Sequence, residues 1–143
     1  MAILTEFFAA VDDAAATEFL TSGARDGAES VFETTGLTSN ELDILHAQLA
    51  GTDVRKILRS GGGGMLAYVG DEGPWVERIR PDLVRRVAAL RDDDLPTVAD
   101  RWVSDDDLDD VDAAHATGVL RGWRRLAVEA TTKELSLYLW TSL

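Results

Sequence analysis

The sequence predicts an α+β fold: a single domain over residues 1–143 in which helices pack on a small mixed or antiparallel sheet. Both the amino-terminal and the carboxy-terminal strand belong to that sheet. Three observations carry this. Ala116, Val119, Leu120, Trp123, Leu126, Ala127 and Ala130 recur at three- and four-residue steps, the period of a core-facing helix. Short runs of leucine with aromatic or β-branched residues stand at the two ends of the chain, around Phe7 and around Tyr138. The 143 residues, 45% of them hydrophobic, suit one core, and no repeat of the solenoid kind is present.

Residues 3–8 read as the first strand, with the carboxy-terminal strand as its mate. Asp12 or Asp13 caps a helix over 14–20, which Gly23 ends. Residues 31–34 are a short second strand. Thr38 and Glu41 have capping-box spacing, so a helix follows over 40–50 with Leu42, Leu45, His46 and Leu49 on one face and Gly51 as its stop. Asp53 caps a short helix over 54–59, and glycines 61–64 form a flexible connector. A strand over 65–69, a turn over 70–74 and an extended segment over 75–79 lead to a helix that begins at Pro81, where the missing N–H costs nothing. That helix buries Leu83, Val84, Val87, Ala88 and Leu90 and turns Arg85, Arg86 and Arg91 to solvent. Asp94 caps a further helix through Trp102. Residues 104–110 are an acidic connection into the long last helix, and Leu135 to Trp140 form a strand apolar on both faces, as a central strand is.

Net charge is −12. Long-range repulsion opposes nucleic acid and anionic membranes and steers in a basic protein. Heavy use of alanine, arginine and aspartate also fits GC-rich coding DNA, which would make the acidity compositional. There is no cysteine, so disulfides, thiolate metal sites and a thiol nucleophile are excluded. The first residues lack the basic and apolar regions of a signal peptide, and no stretch approaches the ~20 apolar residues of a membrane span. The reading is a soluble cytoplasmic protein.

Asp105, Asp106, Asp107, Asp109 and Asp110 are the conspicuous acidic cluster and are read as candidate partner-binding residues. As an EF-hand loop they fail, because Asp110 stands where glycine is required and Ala116 where a bidentate glutamate is. The plain alternative is carboxylates gathered at a helix amino terminus. Glycines 61–64 lack the lysine and helix start of a P-loop. His46 and His115 have no histidine partner at ligand spacing, so neither a metal nor another cofactor is expected, and no catalytic residue is assigned. His46 on an apolar helix face, a partly exposed Trp75, and Arg78 and Arg80 beyond it are the candidate ligand-binding residues. The other three tryptophans are expected in the core.

The order of features resembles the YfbM-like family of uncharacterised bacterial proteins. The resemblance lies in residues 3–8, in the pattern Leu42, Leu45, His46, Leu49, Gly51 and Thr52, in residues 76–94 with their aspartate-leucine step, and in the ending 120–143. It implies an α+β bacterial domain and carries no chemistry with it. Small size, acidity and absent catalytic motifs lead to the expectation of a non-enzymatic protein that binds or masks another protein, with an immunity protein for a basic toxin as its specific form. The alternative is a small-molecule-binding protein or enzyme whose pocket is bordered by His46, Trp75, Arg78 and Arg80. A second copy of the chain is the remaining candidate partner.

Overall fold

The computed structural model describes residues 3–24, 27, 31–105, 108 and 111–143. Five strands form one antiparallel sheet: β1 (Leu4–Ala10), β2 (Val31–Thr35), β3 (Gly64–Tyr68), β4 (Trp75–Arg78) and β5 (Ser136–Ser142). Their order across the sheet is β2-β1-β5-β4-β3, so the last strand of the chain is the middle of the sheet. It pairs with the first strand from Leu4 opposite Ser142 to Ala10 opposite Ser136. On its other side Trp75 to Arg78 face Thr141 to Tyr138. The expected pairing of the two ends is therefore realised, and the sheet is antiparallel throughout.

Side chains alternate between faces along a strand, which splits the core in two. Phe7, Ala9, Leu137 and Leu139 point into the larger part, beneath helices α2 (Ser39–Ala50), α4 (Pro81–Ala88), α5 (Leu95–Val103) and α6 (Ala113–Thr132). Phe8, Ala10, Val76 and Tyr138 point into the smaller one, beneath α1 (Asp13–Thr17). A strand buried on both faces needs the continuous apolar run that β5 has. Trp102 and Trp123 are fully buried in the larger core, and Trp140 donates its indole N–H to the Leu20 carbonyl at 2.9 Å. Among the described residues no helix is long and apolar enough to cross a membrane.

Local capping matches the sequence reading at most helix starts. Asp12 accepts from Ala15 N–H and Asp53 from Arg55 N–H in α3 (Val54–Arg59); Asp112, which the sequence reading did not name as a cap, accepts from His115 N–H. Glu41 accepts from the Thr38 N–H at 2.9 Å and from its hydroxyl, and Gly51 closes α2 in the left-handed region at φ 68°. Two expectations need correction. Asp94 makes no side-chain cap for α5; residues Asp92–Asp94 form a 3-10 turn that runs straight into the helix, and the Asp94 carboxylate lies beside Arg91. The helix expected over 14–20 stops at Thr17, whose hydroxyl donates to the Asp13 carbonyl, and tighter turns continue to Gly23.

Candidate functional site

Helix α2 and strand β4 meet the start of α4 around one polar cluster. On α2 the residues Ser39, Leu42, Asp43 and His46 follow one another at steps that share a face, and that face is buried. On β4 the alternation sends Trp75 and Glu77 toward the helical layer and Arg78 to the other side, since Glu77 lies opposite Leu139 and Arg78 opposite Tyr138. Ile79 and Arg80 then connect to Pro81 at the first turn of α4.

Arg80 is the centre of this cluster. Its Nη1 donates to Asp43 Oδ1 at 2.5 Å, with the two side chains only 16% and 12% exposed. Burial raises the Asp43 carboxyl above its ordinary value even though the Arg80 guanidinium opposes the shift. One turn on, His46 Nε2 lies 2.8 Å from Asp82 Oδ2. Asp82 also accepts from Arg86 at 2.8 Å and Arg85 at 3.3 Å; hydrogen bonds from Arg86 and then His46 hold its carboxyl far below the usual range. Beside an ionised Asp82 the His46 Nε2 is the donor of the bond between them. His46 Nδ1 is buried and has no partner among the described residues, and the same holds for Arg80 Nε.

The glycine run passes directly over this arginine. A Cβ on Gly63 would stand 2.6 Å from Arg80 Cγ and 3.1 Å from the Arg78 carbonyl, so only glycine lets the loop lie so close. At Gly63 the run is closely packed rather than merely a flexible connector, whereas a Cβ on Gly61 or Gly64 would meet nothing within 4 Å.

The four expected ligand-binding residues are not all brought together. His46 and Arg80 border one cleft of about 320 Å³ between α2, α3 and α4, where Lys56 and Arg86 also lie. Arg78 points through the opposite face of the sheet, where its Nε donates to Asp13 at 3.0 Å while the Tyr138 hydroxyl donates to the same carboxylate at 2.9 Å. There it ties α1 to the sheet, whatever its sequence neighbours do. Trp75 is half-buried on the helical face and interacts with Glu77, away from the His46 cleft. Of the acidic cluster, Asp105 sits just after α5, its N–H bonded to the Trp102 carbonyl. Asp106, Asp107, Asp109 and Asp110 lie outside the described residues. Exposed His115 gives its backbone N–H to Asp112. Among the described residues no group of three histidines or carboxylates is arranged to hold a metal ion.

A second feature adjoins the Arg80 cluster. Directly paired residues of antiparallel strands project from the same face. Tyr68 pairs with Trp75 and Met65 with Glu77, so all four share the helical face at the β3 edge of the sheet. The helix that packs on β3 is α1, on the other face, and the larger helical layer stops short of this edge. Met65 and Tyr68 are accordingly 53% and 69% exposed, with Val69 at 58% beside them. Next to this platform a cleft of about 140 Å³ opens over Leu42, Leu83 and Leu139, with Ser39, Asp43 and Glu77 on its walls. Burial raises the Glu77 carboxyl, while hydrogen bonding to Ser39 and Trp75 opposes the shift.

Asp43, Glu77, Met65 and Tyr68 were not singled out by sequence reasoning. Asp43 did leave a signal, a carboxylate between Leu42 and Ile44 on the apolar side of a helix. Comparison with protein-family models, curated proteins and solved structures finds no match, so the functional reading rests on this geometry.

Proposed function

We propose that this chain is a non-enzymatic interaction protein that docks a basic protein on the open β3–β4 end of its sheet, the masking of a basic toxin being the specific form. The observation that carries the reading is the platform of Met65, Tyr68 and half-buried Trp75, apolar side chains on one sheet face that the helices leave uncovered. Aromatic residues and methionine are the types enriched at interface centres. Among the described residues strand β3 is also a sheet edge, and an edge strand can pair with a partner's strand. Charge supports the choice of partner. A chain of net charge −12 accelerates encounter with a basic protein and repels an acidic one, and Asp71 and Glu72 stand exposed in the turn that leaves this edge.

The test is capture from a lysate of the native organism, comparing the wild-type chain with a Met65→Ser, Tyr68→Ser variant. Serine removes apolar area and leaves the charge unchanged. The expected outcome is one stoichiometric basic protein whose capture weakens on adding salt and falls about tenfold or more in the variant, the effect of losing ~1.4 kcal/mol of binding. Equal capture by both forms, or an empty capture at low salt, would overturn the reading.

A further inference from the structure

The cleft beside the platform has a charge pattern that selects its occupant. Asp43 is already neutralised by Arg80, which lies against it on the same wall. Among the described residues Glu77 forms no ion pair: its neighbours are the neutral side chains of Ser39 and Trp75, and Arg80 acts on it across space. Arg78 also borders the cleft, but its guanidinium is bonded to Asp13 on the opposite face of the sheet, so the charged ends on this side are two carboxylates and the Arg80 guanidinium, which when ionised leave one negative charge in excess. The floor is apolar, made by Leu42, Leu83 and Leu139. A carboxylate in such a setting attracts a cation more strongly than one in water, because the effective dielectric is lower.

Size narrows the choice further. At about 140 Å³ the cleft is smaller than the ~300 Å³ at which small-molecule pockets begin, and it has room for the end of one side chain. Position connects it to the docking face, since Met65 lies directly opposite Glu77 across the β3–β4 ladder and Gly64 lines the cleft. An aliphatic stem would run over the leucine floor while its charged end reaches the carboxylate, the way lysine and arginine bury their stems. An anion is disfavoured here because it would meet Glu77 and Asp43 together.

We propose that the Glu77 cleft receives the cationic end of a lysine or arginine side chain from the docked partner, with Glu77 as its counter-ion. This rests on the docking reading, and the two fail separately. The whole chain is titrated with N-acetyl-arginine amide and N-acetyl-lysine amide, with the citrulline and norleucine analogues as uncharged controls. The Trp75 indole N–H and the Leu83 methyl resonances report binding. The expected result is that the cationic probes move these signals and the uncharged ones do not. In Glu77→Gln, checked for cooperative unfolding, affinity should fall about tenfold or more. Equal shifts from the uncharged analogues would overturn the proposal, as would unchanged affinity in Glu77→Gln or no shift up to the solubility limit of the probes. A partner captured equally by wild type and Glu77→Gln removes the cleft and leaves the docking face. Probe binding with no captured partner does the reverse.

Discussion

Gly118 and Gly122 are one turn apart in α6 and answer to different forces. Nothing lies within 4 Å of a Cβ placed on Gly118, whereas a Cβ on Gly122 would stand 2.2 Å from the Phe32 ring on β2. Helix propensity favours alanine over glycine by about 1 kcal/mol at either position. At Gly118 that preference is unopposed, and Gly118→Ala should stabilise by ~0.5–1 kcal/mol. At Gly122 overpacking, typically ~1–3 kcal/mol, outweighs it, so Gly122→Ala should destabilise. Urea midpoints for the two variants decide the matter, and a shift of the same sign in both would refute the packing account. Glu77 shows a second residue-scale conflict, between burial and ionisation. Its carboxyl is raised above the ordinary value of 4.5, so the folded state holds this proton more tightly than the unfolded one. Stability from this group therefore falls as pH rises from about 4.5 through the raised folded value, and stays low above it. Asp43 acts in the same direction, whereas Asp82, held low by Arg86 and His46, contributes stability at neutral pH that is lost as pH falls. Glu77→Gln should raise the melting temperature at pH 7 and leave it unchanged below about pH 4. A variant less stable than wild type at pH 7 would show that the charge is better satisfied than its burial implies.

At the scale of elements, β5 decides whether there is a sheet at all. It pairs with β1 on one side and β4 on the other, and its side chains enter both cores. Ending the chain before residue 136 leaves β1–β2 and β3–β4 as separate hairpins, and isolated two-stranded hairpins are marginal in water. The truncated chain should lose its cooperative thermal transition; a sharp melt with native circular dichroism would contradict the central placement. Periodicity made this strand legible in the sequence, because leucines alternate with Tyr138 and Trp140 over a run too short for another helix. The two ends of α2 were equally legible, since a capping box and a left-handed glycine act within a single turn of chain. The end of α1 was not, because the chain passes from helix into tighter turns up to Gly23 and no apolar period marks the change.

On the scale of the whole molecule, the last strand lies beside the first, and residues of α2 and β4 border the Glu77 cleft together. The open platform is a product of that arrangement: β3 extends the sheet one strand beyond the reach of the larger helical layer. His46 and Arg80 were legible as candidates, yet Arg78, two residues before Arg80, ends on the opposite face because strand alternation separates it from Glu77. Period, cap and turn are decided by residues within a turn or two of one another. The sequence by itself therefore determined the α+β class, the order of the elements and the two-faced character of the final strand. Charge pairing across the fold joins residues far apart in the chain, Asp43 with Arg80 and Asp13 with Arg78, and an uncovered sheet edge depends on where every helix comes to rest. No local pattern encodes those distances, so only the tertiary structure decided that Glu77 borders an apolar cleft and which apolar face was left open.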